Sequence, residues 1–245
     1  MSDRVVLLTG ASGGLGREVA VSLAAKGFRL ALHYFHREDI AVDLKNKLNE
    51  GENKHHIYSA DLCDEAAIEL LIKKIISDFG RLDIIINNAG VSFSGMSWKQ
   101  TLDEWNQVMA VNVTAPFLVN KYSIPHLRKS TNGRIINISS IVAKKALPGT
   151  SAYAASKAAL EGLARAQAIE LSKFGITVNC ISPGYFDTGM INTVDNKNQE
   201  LLLAQIPAER FGKPSELAEC ILYLCSVEAG YITGQVLQIN GGLYF

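Results

Sequence analysis

The chain has 245 residues, a length that one α/β domain routinely reaches. Its hydrophobic fraction of 48%, charged fraction of 20% and mean hydropathy of +0.11 supply a large core and exclude a disordered chain. With 24 Lys plus Arg against 24 Asp plus Glu, no global field draws it toward nucleic acid or an acidic membrane, so partners have to be recognised locally.

Residues 5–8 form a continuous apolar run closed by Thr9-Gly10, the pattern of a strand buried on both faces. From Gly16 the period becomes helical, with Val19, Ala20, Leu23 and Ala24 on one face and Gly27 as the stop. The same reading predicts a strand over 28–34, a helix over 40–48, a strand over 56–60, a helix over 66–79 and a strand over 82–86. Thr101 and Glu104 have capping-box spacing and open a region that reads helical to Arg128, with Pro116 expected to break it and Pro125 to end it. A strand over 134–138, the longest helix over 152–174, a strand over 177–182, a capped helix over 215–225 and a last strand over 236–239 complete the order. Strands alternating with helices must cross over right-handed. The expected fold is therefore a single doubly wound Rossmann-type α/β domain over 1–245: a seven-stranded parallel sheet with helices on both faces and ligands at the strand carboxyl ends. Its cofactor half is expected over roughly 1–135 and its catalytic and substrate half over roughly 136–245. The polar segment 187–200 is a candidate mobile lid over that edge.

Gly10, Ala11, Ser12, Gly13, Gly14, Leu15 and Gly16 lie between the first strand and the first helix. Bare backbone there admits a pyrophosphate, and the helix N-terminus favours its charge. Four glycines at this junction favour dinucleotide binding over an ordinary tight turn, although the spacing is Gly-x3-Gly-x-Gly rather than G-x-G-x-x-G. The second strand ends His33-Tyr34-Phe35-His36-Arg37, with no carboxylate for a ribose 2′-hydroxyl. Arg37 is either a solvated charge or a charge-assisted partner for a 2′-phosphate, and NADP(H) is expected over NAD(H). The missing acid also counts against a methyltransferase.

Tyr153 and Lys157 stand four residues apart on a predicted helix, on one face and about 6 Å apart along its axis. An ammonium beside the phenol is expected to depress its pKa and fit Tyr153 to give a proton to a carbonyl oxygen or take one from an alcohol. The pair alone also fits an ordinary surface pair. Ser140, thirteen positions earlier at the end of the fifth strand, adds a hydroxyl for the substrate oxygen, whereas Ser139 points to the other side.

The stretches TGASGGLG (9–16), NNAG (87–90), NISS (137–140), YAASK (153–157), PGYFDTGM (183–190), YITG (231–234) and NGGLY (240–244) together resemble the short-chain dehydrogenase/reductase family over almost the whole chain, particularly its 3-oxoacyl-[acyl-carrier-protein] reductases. The resemblance implies Tyr153 as proton donor, Lys157 on the nicotinamide ribose, Ser140 polarising the carbonyl and Asn112 anchoring a relay water. It implies Asp61 and Leu62 beside the adenine, Asn88, Ala89 and Gly90 along the cofactor floor, and Pro183, Gly184, Phe186 and Thr188 around the nicotinamide. It further implies a cytoplasmic homotetramer that uses NADPH to reduce a 3-oxoacyl thioester on acyl carrier protein, a fatty acid biosynthesis reaction. At Gly13 the sequence departs from the basic residue that many NADP-using members carry. Arg128, Lys129 and Lys173 are the modest basic candidates for steering an acidic carrier.

Two other readings stand beside this one: a member of the same family acting on a sugar, steroid or small aliphatic ketone or alcohol, and a non-catalytic dinucleotide-binding protein. No metal is expected, because His33, His36, His55 and His56 lack ligand partners at useful spacing. Trp98 and Trp105 are expected to be packing residues, and Cys63, Cys180, Cys220 and Cys225 buried small hydrophobes. The cysteines form no C-x-x-C pair and suit a reducing cytosol. No signal peptide is read at residues 1–9, and no apolar stretch approaches the roughly 20 residues that span a bilayer.

Overall fold

The computed structural model describes residues 3–49, 54–188 and 196–245. Seven strands, β1 (Val5–Leu8), β2 (Arg29–Tyr34), β3 (His56–Ser59), β4 (Ile84–Asn87), β5 (Arg134–Ile138), β6 (Thr177–Pro183) and β7 (Val236–Ile239), form one parallel sheet in the order β3-β2-β1-β4-β5-β6-β7. Between them run α1 (Gly14–Ala25), α2 (Glu38–Leu48), α3 (Glu65–Phe79), α4 (Leu102–Met109), α5 (Ala115–Leu127), α6 (Ser151–Leu171), α7 (Asn196–Leu203) and α8 (Pro214–Cys225).

Alternation along β1 explains the unbroken apolar run. Val5 and Leu7 pack in the layer that contains residues of α3, α5 and α6, while Val6 and Leu8 pack in the layer containing residues of α1 and α8. All four are fully buried. The order of connection reverses between β1, which feeds β2 on one side, and β4 on the other. A crevice at the carboxyl ends of β1 and β4 is where such a sheet takes its ligand.

Three local readings are corrected. The break in the long helical region falls before Pro116: Ala110–Thr114 is a π turn in which the Ala115 amide reaches back to the Ala110 carbonyl. Pro116 then occupies the first turn of α5, and Pro125 sits inside the helix, which runs on to Leu127. Pro116 has no N–H to continue the i→i−4 ladder, so the register loosens just ahead of it. Within the polar segment 187–200, residues 189–195, including Met190, lie outside the described residues, and α7 begins at Asn196. Trp98 is 76% exposed, Trp105 is 38% exposed and Cys63 is also exposed, so none of the three is a packed core residue of this chain. Among the described residues no helix is long and apolar enough to cross a membrane.

Candidate active site

The glycine turn leaves β1 at Gly10, whose φ is +65° and whose added Cβ would stand 2.9 Å from the Cα of Ala89. Backbone hand and the adjacent end of β4 both require glycine there. Thr9, buried beneath the turn, accepts from the Asn88 and Ala89 amides at 3.0 Å each, and Asn88 Nδ2 donates to the Thr9 and Gly10 carbonyls at 2.9 and 3.1 Å. The Asn88 side chain therefore braces the turn. Gly13 caps α1 in extended conformation with no side-chain bond, and the first turn of α1, with Gly14, Leu15 and Gly16, holds no acidic residue. Its amides and dipole are left for an anion. Arg37 Nη2 donates to the Ser12 carbonyl at 2.7 Å, which sets the guanidinium on the rim of the turn. A Cβ on Gly14 would meet that of Thr188 at 3.6 Å, so the segment after β6 closes over the start of α1. Bare backbone, an uncapped helix start and a rim guanidinium fit the diphosphate half of a dinucleotide.

On the opposite side of the crevice lies the polar cluster. Lys157 is 3% exposed, and its Nζ donates to the Ile138 carbonyl at 2.8 Å and lies 5.5 Å from the centroid of the Tyr153 ring. The Ser140 hydroxyl lies near enough to that of Tyr153 to act on its titration, and Ser140 Oγ accepts from the Val142 amide at 3.3 Å. Asn112, buried in the π turn, accepts from the Val91 amide at 2.9 Å and donates to the Val91 carbonyl at 2.9 Å and to Ser156 Oγ at 3.0 Å. Both Nδ2 protons are thus used. Its backbone carbonyl has no amide at i+4 to satisfy it, because that residue is Pro116. Gly90 connects the halves: a Cβ there would stand 3.2 Å from Asn112 Oδ1 and 3.4 Å from Lys157 Nζ.

The expected acidification of Tyr153 is corrected. Burial raises the phenol above its ordinary value, and the neighbouring Ser140 hydroxyl only partly offsets this. Lys157 is itself lowered to about 8, because burial disfavours its charge more than the neighbouring Cys180 restores it. The raised phenol stays protonated at neutral pH, which suits a proton donor.

The remaining residues divide between site and scaffold. Asp61 accepts from the Cys63 amide at 2.8 Å in the turn after β3, whereas the Leu62 side chain packs into the core. Pro183 ends β6, and the Gly184 amide donates to the Ile239 carbonyl at 2.9 Å. The Phe186 ring is buried in the core beside Gly212, and its carbonyl accepts from the Thr188 amide at 2.8 Å. Ser139 donates to the buried Glu161 at 3.0 Å, and the same carboxylate pairs with Lys144 at 3.1 Å. Arg128 and Lys173 bracket the Phe174 ring before β5 and β6, at the opposite edge of the sheet from Tyr153.

Several members of this architecture are not singled out by the sequence reading. Asn87, in the NNAG stretch, donates to Asn120 and Asn137 at 3.0 and 2.8 Å, and Asn120 donates to Gln167 at 2.9 Å, a buried amide chain behind the site. Only the clustering of asparagines near strand ends hints at it. Ile141, Val142, Ile206 and Leu243 form an apolar cluster against Tyr153, Tyr185 and Phe211. It draws on three distant parts of the chain and carries no local signature.

The fold and this crevice are those of a short-chain dehydrogenase/reductase, and the chain belongs to that family of oxidoreductases. The family model described as Enoyl-(Acyl carrier protein) reductase matches residues 10–244. The chain is similar to the 3-oxoacyl-[acyl-carrier-protein] reductase FabG of Staphylococcus aureus, 34% identical over 238 residues and 97% of each chain. It is also similar to the acetoacetyl-CoA reductase of Shinella zoogloeoides, 37% identical over 244 residues and 99% of each. Among solved structures it resembles a blue fluorescent protein from a metagenomic library in complex with NADPH. That likeness has a TM-score of 0.93 at 32% identity and covers 99% of this chain and 98% of the other.

Proposed function

We propose that the protein reduces a 3-oxoacyl thioester to the 3-hydroxyacyl thioester with NADPH. The observation that carries this reading is the convergence of Tyr153, Ser140 and Lys157 beside Gly90, on the crevice that the glycine turn bounds. When bound, NADPH supplies the hydride that the C3 carbonyl carbon takes up. Ser140 holds the carbonyl oxygen by a hydrogen bond, and Tyr153 gives its hydroxyl proton to that oxygen as the alcohol forms. Lys157 holds the nicotinamide ribose, and Asn112 anchors the relay that returns a proton toward Tyr153. Glycine-turn backbone from Gly10 to Gly16 receives the diphosphate, and Arg37 pairs with the 2′-phosphate. Asp61, the Leu62 backbone and Asn88 to Gly90 line the adenosine and floor side, and Pro183, Gly184, Phe186 and Thr188 the nicotinamide side.

Two of the relatives carry names for reductases of 3-oxoacyl thioesters, one carrier-bound and one on coenzyme A, which supports the thioester class. The apolar cluster of Ile141, Val142, Ile206 and Leu243 offers walls suited to an acyl chain. A homotetramer is part of the proposal. Trp98, Leu102, Ile169, Tyr231 and Phe245 are exposed apolar or aromatic side chains, and an added Cβ on Gly162 of α6 would meet nothing within 4 Å, which leaves room for a partner helix.

The test is cofactor oxidation followed by absorbance, with NADPH and NADH each offered acetoacetyl thioesters on carrier protein and on coenzyme A, and a panel of simple ketones. Higher kcat/KM for NADPH with a thioester is expected. Turnover of ketones with none of thioesters would overturn the substrate assignment.

A further inference from the structure

We propose that His33 is a positioning residue for the adenosine half of the dinucleotide, clamping the glycine turn to the end of β3 across the strand between them. This rests on the dinucleotide reading of the glycine turn. His33 is 2% exposed near the end of β2, the strand that lies between β1 and β3 in the sheet. Its backbone carbonyl accepts from the Ala11 amide at 2.9 Å, and its ring Nδ1 accepts from the Gly10 amide at 3.2 Å. Two successive amides of the turn are thus held by one residue. On the other side, ring Nε2 lies 3.0 Å from the Ala60 carbonyl, immediately before Asp61 and Leu62.

The bond directions fix the state of the ring. Gly10 N–H is a donor, so Nδ1 carries no proton, and a carbonyl only accepts, so Nε2 carries one and donates it. The neutral Nε2–H tautomer alone satisfies both contacts. Burial favours that neutral form and outweighs the Ala60 bond and the Asp61 carboxylate, which favour the charged one. Asn88 supplies the complementary brace from β4, donating to the turn's carbonyls while His33 accepts from its amides. The turn is pinned from both neighbouring strand ends. His33 additionally couples its position to the backbone that leads to Asp61.

Substitutions separate the two contacts. Asparagine can place its Oδ1 near the position of Nδ1 and keep the Gly10 bond, glutamine reaches toward Ala60 without serving Gly10, and leucine removes both. The experiment titrates NADPH by fluorescence into full-length wild type and the three variants, and measures hydrogen–deuterium exchange over residues 9–16 before cofactor is added. For His33→Leu, NADPH Kd is expected to rise at least tenfold and exchange over 9–16 to quicken, with His33→Asn and His33→Gln, which each keep one arm of the clamp, more than threefold weaker than wild type but tighter than His33→Leu. If His33→Leu does not fold, the Asn and Gln variants decide the matter alone. A Kd within threefold of wild type for His33→Asn, His33→Gln or His33→Leu overturns the two-ended positioning role while the dinucleotide reading stands. Absence of NADPH and NADH binding to the wild type overturns both.

Discussion

Replacing Lys157 by methionine separates what this lysine costs the fold from what it gives the site. The side chain is 3% exposed and its pKa is lowered from 10.5 to about 8 by burial. That difference corresponds to about 3 kcal/mol by which folding disfavours the ammonium. The sign follows from proton binding. Below about pH 8 folded and unfolded chains both hold the proton and the full cost applies; between about 8 and 10.5 the unfolded chain holds it and the folded one does not, so stability rises with pH. Methionine matches the length without the charge but loses the 2.8 Å bond to the Ile138 carbonyl, a loss of about 1–3 kcal/mol that offsets the relieved charge at neutral pH. Wild type and Lys157→Met should therefore differ by no more than about 2 kcal/mol at neutral pH, and wild type should gain about 3 kcal/mol on the variant by pH 10.5. Urea unfolding of both proteins at a series of pH values measures the gap, with turnover assayed in parallel and expected to be lost in the variant throughout. A gap that stays constant over that range would show that the lysine is not buried as a strained cation.

Tyr153→Phe removes the proton donor while keeping the ring, so kcat is expected to fall about 10²- to 10⁴-fold with NADPH affinity little changed; fluorescence titration beside steady-state kinetics checks both. Near-normal turnover would refute the assignment. Arg37→Ala should raise KM for NADPH about 10- to 100-fold, the worth of a charge-assisted contact, while KM for NADH moves less than about threefold. Equal effects on the two cofactors would mean that Arg37 acts through its 2.7 Å bond to the Ser12 carbonyl alone.

Much of this molecule is legible from local pattern. Residues 134–138 and 236–239 read as strands and are β5 and β7 without a shift: β5, inside the sheet, is buried at every position around Ile135, Ile136 and Ile138, and β7, the partly buried edge strand, still carries Val236, Leu237 and Ile239. The spacing of Tyr153 and Lys157 on α6, and of Ser140 at the end of β5, brings three separated side chains to one crevice because helix and sheet periods fix their faces. What escapes the sequence is decided by non-local contact. Pro116 announces an irregularity, but the π turn falls at Ala110–Thr114, where Asn112 is held by Val91 and Ser156. Tyr153 and Lys157 sit close enough to interact, yet their pKa directions follow the burial of each, which no spacing reveals. His33 looks like an unpartnered imidazole because its partners are main-chain groups of other elements, Gly10 and Ala60. Trp98 looks like core by composition, yet no other part of the described chain covers it.

The central claim, hydride delivery from the glycine-turn cofactor to the C3 ketone of a 3-oxoacyl thioester beside Tyr153, is tested most directly by isotope transfer. NADPH carrying deuterium at both C4 positions of the nicotinamide is incubated with enzyme and acetoacetyl thioester, and the product is analysed by mass spectrometry and proton NMR. One deuterium on carbon 3 of the 3-hydroxybutyryl product is expected. Product without deuterium at that carbon, or no product while simple ketones are reduced, would contradict the claim.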